Sequence, residues 1–143
     1  CFGASGSGVV GVEKVESLRG NGGVMIGERG TSFGYHNLVV DFKGIPRMRL
    51  FGIPVIFDAT HSVQHPGGGG NHSSGEREMI GPLSRAAAAV GVDGFFVEVH
   101  PDPSKALSDG ANALPLDQFE PLVERLLEID RAAKGRLPKH SYC

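Results

Sequence analysis

The chain has 143 residues with 40% hydrophobic and 21% charged content, the size and balance of one folded domain rather than a disordered segment. Its formal net charge is −2 and it has no basic block, which argues against a nucleic-acid footprint. No apolar run approaches the roughly 20 residues that span a bilayer and no N-terminal signal pattern is visible, so no membrane is expected and the location is expected to be cytoplasmic.

Glycine is abundant, at 22 residues, and gathers at 3–11, 20–23, 67–70 and around 75, which is a loop signature. The two cysteines, Cys1 and Cys143, stand at opposite ends and read as reduced thiols. Residues 1–12 read as a Gly/Ser-rich irregular start, 13–135 as the folded domain and 136–143 as a frayed tail. The abrupt opening, Cys1-Phe2 running straight into glycine and serine, reads as the middle of a longer protein.

In chain order, three continuous apolar runs read as buried parallel strands: Val24-Met25-Ile26, Val55-Ile56-Phe57 and Phe95-Phe96-Val97. Helical patterns alternate with them. Leu38 to Phe51 has roughly helical spacing interrupted by Pro46, and Met79 to Val90 contains the helix-forming run Ala86 to Ala89. Ser73 and Glu76 have capping-box spacing ahead of that second helix, and Gly81-Pro82 should kink it or mark its start. The last helix has an apolar stripe of Leu116, Phe119, Leu122, Val123, Leu126, Ile129 and Ala133, with Pro121 near its first turn and Gly135 as its stop. Stacked βα units with a parallel sheet follow from this alternation, and three strands cannot close a barrel.

Each buried run is followed by polar residues: Glu28-Arg29, Asp58 to His61, and Glu98-Val99-His100. In α/β barrels the C-terminal strand ends form the active face. Arg29, followed by Gly30, Thr31 and Ser32, suits either a phosphate or carboxylate, or an ion pair with Glu28 or another acid. His61 reads either as a core-edge histidine or, with Glu98 and Asp109, as part of a divalent-metal cluster. His36, His65, His72, His100 and His140 read mostly as solvated loop residues, with His100 capping the third strand's mouth. The run Gly67 to Gly70 lacks the lysine of a phosphate loop and reads as a mobile lid or a slack surface loop.

The phrases "GERGTSFGYHNLVVDF", "PVIFDATHSVQHPGG", "SSGEREM" and "RAAAAVGVDGFFVEVHPDPSKALSDGANALPL" together resemble the 3-deoxy-D-manno-octulosonate 8-phosphate synthase family, from about Glu13 to Lys134. The resemblance implies an α/β fold that is the second half of a (β/α)8 TIM barrel, strands six to eight with their helices. It also implies a transferase that condenses phosphoenolpyruvate with D-arabinose 5-phosphate and water in lipopolysaccharide biosynthesis. The complete family enzyme is typically a homotetramer.

By the same resemblance, Arg29 holds the phosphate of phosphoenolpyruvate and His61 sits at the reacting centre. His61, Glu98 and Asp109 are metal ligands in metal-dependent members. Gln64 binds substrate, and the lid comprises the segment with Gly67, Gly68, Ser73 and Ser74. The fourth ligand, a cysteine on strand one replaced by asparagine in metal-independent members, belongs to the first half of the barrel. A divalent metal is therefore admitted, but its class is not readable. His36 stands where the family usually carries asparagine.

Two other readings stand beside this one: a related phosphoenolpyruvate aldol synthase of the DAHP synthase type, and a non-catalytic half barrel. The isolated chain is expected to have negligible activity.

Overall fold

The computed structural model describes residues 23–32, 37–65 and 74–135. In chain order the elements are β1 (Ile26–Glu28), β2 (Thr31–Ser32), β3 (Leu38–Val39), α1 (Gly44–Arg49), β4 (Val55–Asp58), β5 (Gln64–His65), β6 (Ser74–Gly75), α2 (Ile80–Val90), β7 (Gly94–Phe96), β8 (Val99–His100), β9 (Leu114–Pro115) and α3 (Leu116–Gly135). Single 3-10 turns lie at His61–Val63, Arg77–Met79 and Pro103–Lys105. Among the described residues no helix is long and apolar enough to cross a membrane.

The main sheet has the order β1-β4-β7, with both pairings parallel. Its register sets Glu28 beside Phe57, and Asp58 beside Phe96. All three strands therefore deliver the residues that follow them to the same end. The central strand is buried through Val55 and Phe57, both 0% exposed. Phe57 meets Phe42 at 6.3 Å and Phe95 edge-on at 6.2 Å between ring centroids. Ile45 and Met48 of α1, Ile80 and Ala87 of α2, and Leu114 complete the core.

Helix α2 forms because Ile80, Ser84, Ala87 and Ala88 recur at helical spacing on its buried face. Pro82 falls in its first turn, where the missing N–H matters least. It stops at Gly91, whose φ of 99° suits glycine and whose N–H bonds the Ala87 carbonyl.

Several expectations shift. The first strand runs Ile26–Glu28 rather than Val24 to Ile26, because the ladder begins with the Ile26 N–H on the Pro54 carbonyl, and Met25 is exposed. The third runs Gly94–Phe96, and Phe96 is exposed, so this strand is not covered on both faces. Only Gly44–Arg49 of the Leu38–Phe51 stretch is helical. Leu38–Val39 instead pairs with Thr31–Ser32, and Asp41 turns the chain by accepting the Lys43 N–H on its side chain.

Glu76 precedes a 3-10 turn and makes no side-chain cap. Ser73, its expected capping partner, lies outside the described residues, as do 1–12 and 136–143. Pro121 sits in the second turn of α3, not the first, and removes the donor for the carbonyl of Asp117, an exposed residue. Of the α3 stripe only Leu126 is fully buried, and Leu116 is exposed.

Candidate functional site

Beyond Asp58 the chain turns tightly, and the Asp58 side chain organises the turn. Its Oδ1 accepts the His61 N–H at 3.0 Å and its Oδ2 lies 2.7 Å from His61 Nδ1. A carboxylate cannot donate, so Nδ1 is the donor in this contact and Nε2 is the ring nitrogen left to face the neighbouring strand end. That Nε2 points at Glu98 Oε1, 3.4 Å away, and the imidazole stacks on Phe96 at 5.6 Å.

Thr60, fully buried, stitches the second and third strand ends together. Its hydroxyl accepts the Glu98 N–H and lies 3.4 Å from Asp58 Oδ1. Glu98 follows β7, and its carbonyl accepts the Leu114 N–H as β8 and β9 begin to pair.

Asp109 reaches the same place from a turn. It is the one non-glycine residue with positive φ among the described residues, at 52°, a conformation that aspartate tolerates better than most. Its carbonyl accepts both the Asn112 and the Ala113 N–H. Arg77 donates to the neighbouring Gly110 carbonyl from the start of the turn ahead of α2. One ligand atom each from His61, Glu98 and Asp109 lies within 4.8 Å of the others. One imidazole nitrogen and two carboxylates are a donor set that suits a first-row divalent cation, and Asp58 supplies the outer carboxylate that metal-binding histidines usually have.

Arg29 is exposed at the end of β1 and donates to Gln64 Oε1 at 3.1 Å. Gln64 Nε2 in turn donates to Asp109 Oδ1 at 2.8 Å. Glu28 accepts the Gly30 N–H rather than reaching along the strand end. Burial pushes the Glu28 carboxyl above its ordinary value of 4.5; the Gly30 N–H opposes this and the nearby Asp41 adds to it. Gly30 needs to be glycine: its φ is 81°, and a Cβ would press on Leu38 Cβ at 3.0 Å.

The structure thus brings together His61, Glu98, Asp109, Gln64 and Arg29. Ser74 lies in β6, paired with His65, while Gly67, Gly68, Ser73 and His36 lie outside the described residues. His100 accepts the Asp102 N–H on Nδ1 and so holds the turn that follows β8. Sequence reasoning missed the parts played by Thr60, Arg77 and the orienting carboxylate of Asp58. The Asp-x-x-His spacing of Asp58 and His61 is a usable signal for the last of these; Arg77 has none, because its partner is a backbone carbonyl 33 positions away.

Parallel strands whose C-terminal ends carry a cation-type donor set beside an arginine define an α/β protein with a polar site at one end of its sheet. Comparison with known proteins narrows this class. A family model described as "DAHP synthetase I family" matches residues 7–134, and the chain belongs to that family. It is 57% identical over 124 residues to the 2-dehydro-3-deoxyphosphooctonate aldolase of Syntrophotalea carbinolica, covering 87% of this chain and 44% of the relative. Proteins of the same name from Xanthomonas oryzae pv. oryzae and Stenotrophomonas maltophilia are 56% identical over 131 residues, 92% of this chain and 46% of theirs. The chain therefore spans about half the length of these curated relatives. Among solved structures, the phospho-2-dehydro-3-deoxyheptonate aldolase (DAHP synthase) of Thermotoga maritima is similar at a TM-score of 0.65 and 37% identity, over 79% of this chain and 31% of that one.

Proposed function

We propose that this chain supplies the site-bearing strand ends of an enzyme that condenses phosphoenolpyruvate with D-arabinose 5-phosphate and water. The products are 3-deoxy-D-manno-octulosonate 8-phosphate and inorganic phosphate. The observation that carries the reading is the cluster of His61, Glu98 and Asp109 joined through Gln64 to Arg29 at one end of a parallel sheet. The names of the curated relatives support the same reaction. On this reading residues 13–135 are part of a (β/α)8 barrel, with β1, β4 and β7 as its sixth, seventh and eighth strands.

The reaction forms a bond between C3 of the enolpyruvyl group and the aldehyde carbon of the sugar. Water adds at C2 and phosphate leaves with its bridging oxygen. Arg29 grips a phosphate with donors that its bond to Gln64 leaves over, since a guanidinium has five. Asp58 fixes the imidazole so that Nε2 faces the reacting groups. His61, Glu98 and Asp109 would hold a divalent cation, which when bound supplies a Lewis acid for the aldehyde oxygen and the water. Phe96, stacked on His61, shields one face of the ring from solvent.

The DAHP synthase reading, with erythrose 4-phosphate as the sugar, is consistent with the family description and with the Thermotoga maritima structure, and neither favours it over the first. Phosphate release from phosphoenolpyruvate by the native protein separates the two. Release that depends on arabinose 5-phosphate and not on erythrose 4-phosphate is expected, and the reverse preference overturns the assignment.

A further inference from the structure

We propose that Gln64 is a positioning residue that couples Arg29 to the cation cluster, a step that rests on reading His61, Glu98 and Asp109 as a cation site. Gln64 Oε1 takes a guanidinium N–H at 3.1 Å while Nε2 gives to Asp109 Oδ1 at 2.8 Å. The direction of the amide is fixed by chemistry, because a guanidinium has no acceptor and an ionised carboxylate has no donor. A glutamate here would serve Arg29 but repel Asp109, and a lysine would do the reverse. Only a neutral side chain with an acceptor and a donor on separate branches joins the two.

The base of this bridge is firm. The Gln64 N–H bonds the His61 carbonyl, and Gln64 pairs with Gly75 across β5 and β6. The positive charge on Arg29 polarises the amide and strengthens its donation to Asp109. Asp109, in its left-handed turn, thereby receives a hydrogen bond on Oδ1 that holds its carboxylate toward His61 and Glu98.

The proposal has a sign that simple charge proximity does not share. By Coulomb's law alone, removing the Arg29 cation relieves repulsion and tightens cation binding. If Arg29 acts through Gln64, removing it loosens Asp109 and weakens cation binding.

The test is a double-mutant cycle read by manganese(II) affinity, from free manganese in titrations of the purified protein. Gln64→Met is expected to weaken binding by about tenfold or more, as loss of a direct partner of a ligand does. Arg29→Met is expected to weaken it by a few fold in the Gln64 protein and not at all in the Gln64→Met background. Arg29→Lys, still able to donate to Oε1, retains most of the affinity. Unchanged or tighter binding in Arg29→Met overturns the coupling while leaving the cation site standing. A wild-type protein that binds no manganese overturns both. If Gln64→Met does not fold, the two variants at exposed Arg29 decide the matter alone.

Discussion

The Asp58 carboxylate lies 2.7 Å from His61 Nδ1, and this contact sets which imidazole nitrogen meets Glu98. Asp58→Asn presents either an oxygen or an NH2 to Nδ1, so the tautomer is no longer dictated. If His61 holds a cation as proposed, divalent-cation affinity is expected to fall about 10- to 100-fold, the usual loss when a partner of a metal-bound histidine is removed. Manganese titration with circular dichroism as a fold check measures this; undiminished affinity contradicts an orienting role.

Two glycines are sites of steric exclusion. A Cβ on Gly75 would overlap the buried Asn112 carboxamide and stand 2.6 Å from the Val63 carbonyl, and one on Gly110 would overlap the Pro103 carbonyl. Gly75→Ala and Gly110→Ala are each expected to destabilise by about 1–3 kcal/mol, the range for overpacking. Gly27, with open space around it, is the control, and Gly27→Ala should stay within about 0.5 kcal/mol. Equal urea midpoints for Gly27→Ala and Gly75→Ala contradict the packing described.

Phe57 is fully buried at the middle of the sheet, against Phe42 and Phe95. Phe57→Ala is expected to cost about 3–5 kcal/mol of stability. Leu107→Ala, at a wholly exposed side chain, should cost almost nothing. Chemical denaturation of the pair checks the placement of the core.

Glu28 carries a pH signature. Burial raises its carboxyl above 4.5, so the folded chain binds this proton more tightly than the unfolded chain does. Its contribution to stability is therefore greatest below 4.5 and is lost as pH rises through the folded value. Relative to wild type, Glu28→Gln should gain stability as pH climbs through that window. Unfolding midpoints across a pH series report this, and a difference that does not change with pH contradicts it.

The strand ends are legible in the sequence because a buried apolar run that stops at charged residues must bring them to a surface, and parallel order sends all such ends the same way. Asp58, His61 and Glu98 follow from that logic. The exact ladder does not: Met25 and Phe96 look as apolar as Val55, and only their neighbours decide that they face outward. Val39 is β-branched and pairs with Thr31, which overrides the helical spacing of Leu38 to Phe51. The bridge from Gln64 to Asp109 spans 45 positions, too far for any local pattern to reveal.

The proposal that three chain segments converge to hold one cation is tested most directly by pulsed electron paramagnetic resonance of manganese(II) bound to 15N-histidine-labelled protein. A directly coordinated histidine nitrogen is expected, lost in His61→Ala, with weaker binding in Glu98→Gln and in Asp109→Asn. Manganese bound without nitrogen coupling, or with the same affinity in all three variants, would contradict the site built from these residues.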